Sequence, residues 1–186
     1  MNVLTDIFLF YTRFTTPDGV ARLFNKGTST VPGYSQLQQQ ALAEAGKETP
    51  VKLDNYVFGA NIDAVSSRIN NLNGFYLFVD YGEIECNVNK TNCQTDSMRL
   101  GVTVAYRIKE FSGDLMEQLL VSDSCMDYLS SIRRYMHNDH LCRTWLKNFS
   151  GKHTLVPFVA RDLSSIGWTM MFNREGVDSF NLKGFY

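Results

Sequence analysis

The strongest constraint on the fold is a strict two-residue alternation of side chains over residues 98–108. The even positions carry large apolar side chains: Met98, Leu100, Val102, Val104, Tyr106 and Ile108. The odd positions carry small or basic side chains: Arg99, Gly101, Thr103, Ala105 and Arg107. A period of two predicts a β-strand with one buried face, because successive side chains of a strand point to opposite sides. The small face in turn permits close approach of a helix or of a partner.

A second strand and a long helix accompany this strand along the chain. Residues 75–86 begin apolar on both faces and then alternate, which favours a strand that pairs antiparallel with the one after it. Asp114 and Glu117 have the capping-box spacing that starts a helix. Apolar residues then recur every three or four positions up to Met136. A long amphipathic helix is therefore expected to pack on the sheet, and it is the natural candidate to cover the small face of residues 98–108. The apolar face would then be covered by the helix at 62–72 or by another subunit.

The remaining elements complete an α+β pattern. Residues 153–162 form a stretch rich in β-forming residues, and residues 166–173 alternate again. These two stretches predict a closing pair of strands, and residues 50–59 form a further candidate strand. Apolar residues at helical spacing in 3–14 and 62–72 predict helices before the sheet. Because strands and helices come in blocks, we expect an α+β fold: an antiparallel sheet of about four strands packed against a long helix, with additional N-terminal helices.

The length predicts one domain, 1–186, and the 44% apolar fraction supplies a core. Residues 15–33 are rich in Thr, Gly, Pro and Ser and are expected to form a loop or an arm. Strong helix formers follow at 35–45. Residues 174–186 are expected to form a C-terminal extension.

The charge balance gives no reason to expect nucleic acid or a membrane as partner. Eighteen basic and nineteen acidic residues give a formal charge of -1. Arg99 and Arg107 share one strand face, but the residues between them offer no aromatic ring for base stacking. The N-terminal segment lacks the basic region and cleavage site of a secretory signal, and no apolar run reaches the roughly 18 residues of a membrane span.

One local cluster of metal-ligand side chains stands out, at His137, His140 and Cys142. Two histidines three residues apart share a helix face if the helix continues. A zinc site needs three or four converging ligands, however, and this spacing matches no metal signature. The alternative is a polar turn between two helices with Asp139 as N-cap of the second. We therefore expect no bound metal and no cofactor.

The sequence contains no catalytic motif. It has neither a Gly-rich phosphate loop after a strand nor the G-x-S-x-G or H-E-x-x-H pattern. Asp80, Glu83 and Glu85 lie along one strand, but simple alternation puts Asp80 on the opposite face from the other two, so no convergent acid pair is expected. The prediction is a non-enzymatic protein.

The four cysteines are too few for a disulfide scaffold in a chain of this length. Cys125 falls within the long helical pattern and is expected to be a small core residue. Cys86 and Cys93 flank the predicted hairpin loop. The sequence leaves open whether they are two thiols or one disulfide.

The size and element order resemble those of phage tail-terminator (tail-completion) and related head–tail neck proteins. The resemblance covers about residues 60–173, through the hairpin of 75–86 and 98–108, the helix at 114–136 and the stretch 155–173. It implies a non-enzymatic virion component, assembled in the host cytoplasm, that forms a homo-oligomeric ring. Its partners would be further copies of itself and the neighbouring tail tube and neck proteins.

Two functions thus follow from the sequence. The first is a structural assembly subunit of a phage tail or neck. The alternative is a small stand-alone binding or metal-dependent domain that uses the His137–Cys142 cluster.

Overall fold

A computed structural model describes residues 3–24, 29–88, 94–108, 114–139 and 152–177. The helices in these ranges are α1 (Val3–Thr12), α2 (Pro17–Ala21), α3 (Tyr34–Ala45), α4 (Ile62–Ile69) and α5 (Leu115–Asp139). The strands are β1 (Asn55–Gly59), β2 (Gly74–Val88), β3 (Gln94–Arg107), β4 (His153–Ala160) and β5 (Ser165–Val177). The predicted α+β class, with a long helix packed against the sheet, is confirmed.

The five strands form one sheet in the order β1-β2-β3-β5-β4. The pairs β2–β3, β3–β5 and β4–β5 are antiparallel, as the sequence predicted for four strands. The fifth strand, β1, pairs parallel with β2. This pairing follows from α4, which lies between the two strands and returns the chain to the same end of the sheet.

The apolar face of β3 is buried beneath α1 and α5. Leu100, Val102 and Val104 are fully buried and pack in one cluster with the inner side chains of α5. Those inner side chains are Cys125, Leu129, Ile132 and Met136. The same cluster includes Ile7, Phe10 and Tyr11 of α1, so two helices cover this face of the sheet.

The small face of β3 is covered in part by α4. Ala105 packs with Val65 and Ile69 of α4. Gly59 on β1 allows this close approach, because a Cβ atom at that position would overlap the side chain of Val65. The expectation that the long helix covers the small face is wrong: α5 lies on the apolar face of β3, and α4 lies on one end of the small face.

A buried arginine joins the N-terminal helices to α5. Arg13 is 2% exposed, and its guanidinium donates to the Glu44 carboxylate (2.6 Å) and to the Tyr135 hydroxyl (3.2 Å). It also lies 4.6 Å from the centre of the Phe10 ring. A charge-assisted hydrogen bond and a cation–π contact offset the cost of burying this cation.

Two segments differ from the sequence-based expectation. Within 15–33, predicted as a loop or an arm, the Thr16 hydroxyl accepts from the Gly19 N–H and caps α2, which buries Val20 completely. Within the predicted C-terminal extension, β5 continues to Val177, because its backbone pairs with β3 as far as Thr95. Residues 178–186 lie outside the described part of the chain.

The burial of α5 generates a stability prediction. Leu129→Ala should lower the free energy of unfolding by about 2–5 kcal/mol, because Leu129 is fully buried and its truncation leaves a cavity. Leu120→Ala, the same change at a residue 67% exposed on the same helix, should stay within about 0.5 kcal/mol. Urea titrations of the two variants measure both values, and equal losses would contradict the packing of α5.

Candidate interaction surface

The predicted metal cluster is only partly visible, since His140 and Cys142 lie outside the described residues. His137 lies on α5, with its ring centre 6.2 Å from that of His153 on β4. The Nε2 atom of His153 accepts a hydrogen bond of 2.7 Å from the Nε–H of Arg133. The lone pair of His153 Nε2 is therefore directed at Arg133. Among the described residues no group of three or more His, Cys, Asp or Glu side chains is arranged to hold a metal ion.

Asp80, Glu83 and Glu85 share one face of β2, and the prediction that Asp80 faces away from the other two is wrong. Between Tyr81 and Ile84, β2 carries one residue more than β3, which is a β-bulge. The bulge shifts the alternation by one position, so that Tyr81 and Ile84 both pack on the core. Gly82 lies inside this insertion, and a glycine within a strand pattern is a signal for a β-bulge that the alternation alone does not give.

Glu83 and Glu85 border an open polar cleft on the face of the sheet that α4 leaves uncovered, and Asp80 lies on the same face. The cleft has a volume of about 330 Å³ and is lined by Glu83, Glu85, Ser97, Arg99 and Asn173. The Asp80 carboxylate lies over Gly101, 3.3 Å from where a Cβ atom would stand. Desolvation raises the pKa of Asp80, and the charge of Arg99 opposes that rise. The arrangement is a polar surface with one partly desolvated acid.

The cysteines and basic residues add no second site within the described ranges. Cys125 is buried in the core, as predicted, and burial raises the pKa of its thiol to about 12. Cys86 is exposed, and since Cys93 lies outside the described residues, their pairing stays a prediction. Arg107 donates to the backbone carbonyl of Leu72 at the end of the strand.

A different feature of the described surface is a set of large exposed apolar side chains on α5 and β4. The first two turns of α5 expose Leu115, Met116, Leu119 and Leu120, each by more than half. On β4, Leu155 is 36% and Val159 61% exposed. We name Leu115, Leu119, Leu155 and Val159 the α5–β4 patch. At 100° per residue, Met116 and Leu120 fall on the outer side of α5, away from the sheet. Exposed apolar side chains of this kind mark sites of protein–protein contact.

The geometry of α5 explains why the patch stays open. The helix lies over β3 and β5. On β4, Leu155 pairs with Met170 and Val159 with Ile166, so these two side chains point to the side of the sheet on which α5 lies. The strand β4 thus extends beyond the cover that α5 provides.

One flank of α5 faces the open strand. At 100° per residue, Leu115, Leu119, Ser122 and Arg133 fall on the same flank. Ser122 accepts a hydrogen bond of 2.9 Å from the indole N–H of Trp168, and Arg133 donates to His153 on β4. The leucines of this flank and the apolar side chains of β4 therefore border the same edge.

Comparison with known proteins gave no match to a family model, to a curated protein or to a solved structure. Among the described residues, no helix has both the length and the apolar character needed to cross a membrane.

The environment of Asp80 predicts how stability depends on pH. A carboxyl whose pKa is higher in the folded than in the unfolded chain stabilises the fold only while protonated, so its contribution is lost as pH rises above the ordinary value of 3.8. Asp80→Asn should therefore be more stable than the wild type at pH 7, and the difference should vanish below pH 3.8. Thermal melts across this range measure it. A less stable variant at pH 7 would show that attraction to Arg99 dominates instead.

Proposed function

We propose that this chain is a structural assembly subunit whose copies bind one another through the α5–β4 patch. The assembly we propose is a homo-oligomeric ring in a phage tail or neck, of the tail-terminator or tail-completion type. The subunit would act through its shape: a rigid domain holds its contact surfaces at fixed angles, and the rotational symmetry of the assembly closes the ring. Its further partners would be the tail tube and neck proteins on either side, within the virion.

The concentration of exposed apolar surface at one edge carries this proposal. Among the described residues, the patch holds four of the eight large apolar side chains that are exposed, and two more, Met116 and Leu120, lie beside it on the outer side of α5; the other two are Leu4 and Val31. Fully burying a leucine side chain is worth about 1.5–3 kcal/mol, so a neighbour that covers this edge gains substantial free energy. A monomer that keeps this surface in water forgoes that gain.

The edge strand favours a side-chain contact over extension of the sheet. Pro157 lies in the middle of β4 and has no backbone N–H, so it interrupts any ladder that a further strand would form along this edge. Strand-by-strand stacking without limit is thereby disfavoured. A contact through the helix flank and the exposed side chains of β4 suits a closed assembly of defined size.

The strands next to β4 also supply an arm. The strand β4 begins opposite Phe172 of β5. Beyond that point β5 continues to Val177, paired with β3, and β3 is paired in turn with β2 as far as Val88. At about 3.3 Å per residue, this three-stranded arm reaches about 16 Å beyond the start of β4. An arm of this length gives the subunit a second means of contact with the component above or below a ring.

A charge placed in the patch tests this function. Leu119→Glu should abolish self-association, because contact would bury an unpaired carboxylate. Sedimentation velocity over a concentration series, run up to the solubility limit, measures the loss as a shift from oligomer to monomer. Ser67→Glu adds the same charge to an exposed position of α4, on the other face of the sheet from the patch, and should leave association unchanged.

Two results would contradict the proposal. A wild-type protein that remains strictly monomeric over the whole series would remove the assembly function. An oligomer that both variants form equally well would remove the patch from the contact.

A further inference from the structure

We propose that the α5–β4 patch of one copy binds the outer face of α3 on the next copy, so that the contact is heterologous. This inference rests on the proposed function and adds the identity of the partner surface. By the α3 face we mean the exposed residues Val31, Ser35, Gln36, Gln39 and Gln40.

The two surfaces lie toward opposite edges of the sheet. β4 is the last strand in the sheet order, and β1 is the first. The helix α3 packs on α1 and α2, and α2 packs on β1. A contact between different surfaces on opposite sides links copies head to tail, which is the arrangement that generates a ring when the rotation closes.

The α3 face is uncharged over an unusual length. No charged residue occurs from Ser29 to Ala43, although 20% of the chain is charged. Exposed helix faces normally carry charges, and the cores of protein interfaces are depleted of them. Val31, just before the helix, is 64% exposed and adds an apolar contact, while the glutamines offer both donors and acceptors. These are properties of a surface suited to covering an apolar patch.

The charges around the patch disfavour a symmetric contact. Four exposed carboxylates lie on and just before the N-terminal half of α5: Asp114, Glu117, Asp123 and Asp127. A two-fold contact between patches would bring two such sets together, and like charges across an interface cost affinity. The α3 face brings no charge of its own. It can therefore cover Leu115 and Leu119 without this repulsion.

A mixing experiment tests the pairing. One variant, Leu119→Glu, loses the patch and keeps the α3 face. A second, Val31→Glu with Gln39→Glu, loses the α3 face and keeps the patch. Ser67→Glu, at an exposed position of α4, is the control for added charge. Circular dichroism melts establish that each variant is folded, and native mass spectrometry with one partner labelled with ¹⁵N identifies each complex by mass.

A heterologous contact makes a distinctive prediction. Each of the two variants alone should be monomeric, because every copy lacks the same half of the contact. Their mixture should form a heterodimer and nothing larger, since one intact patch meets one intact α3 face and both remaining surfaces are blocked. The control should associate as the wild type does.

The outcomes separate this inference from the proposed function. If the Val31→Glu, Gln39→Glu variant still associates like the wild type, the α3 face is not the partner surface, while the assembly function stands. If the mixture yields no heterodimer although each variant alone is monomeric, the pairing is also wrong. If the wild type itself never associates, both proposals fail together.

Discussion

The packing of α5 against β3 and β5 is the contact on which the rest of the structure depends. Alternate residues of β3 face the helix: Leu100, Val102 and Val104. They pack in one cluster with the inner residues of α5, Cys125, Leu129 and Ile132, and all six are fully buried. This match of a two-residue period with a helical one fixes the rotation of α5 about its axis. The rotation in turn decides which flank faces β4. The same contact that forms the core therefore aims Leu115 and Leu119 at an edge of the sheet that the helix does not cover.

The buried guanidinium of Arg13 fixes the position of a second pair of elements, α3 and α5. It hydrogen bonds to Glu44 on α3 and to Tyr135 near the end of α5. Lys52 adds to this junction, since its ammonium donates to the backbone carbonyls of Arg13 and Ala45. A polar network of this kind is directional, so it holds α3 at a defined position relative to α5. In the ring proposed above, the angle between the two proposed contact surfaces would matter as much as their affinity, and this junction lies between those surfaces.

Much of the fold could be predicted from local pattern, and the candidate surfaces could not. The alternation of residues 98–108 and the capping box at Asp114 identified β3 and α5, because both signals depend on neighbours in sequence. The prediction for Asp80 and Glu85 was wrong, because a β-bulge is decided by pairing with another strand. The short helix α2 was also missed, because its burial depends on contacts far along the chain. The leucines of the first turns of α5 looked like core residues in sequence, since periodicity does not show where the sheet beneath a helix ends.

The sequence by itself determined the α+β class, the apolar face of β3, the inner stripe of α5 and the place of Cys125 in the core. These follow from side-chain periodicity, which a strand or a helix expresses whatever surrounds it. Only the tertiary structure decided that β1 joins in parallel, that the carboxylates of β2 share a face, and that Leu115, Leu119, Leu155 and Val159 border one open edge. The physical reason is that exposure belongs to the arrangement of elements in space. A side chain is buried or left in water by what lies across from it, and the sequence order of its neighbours does not contain that information.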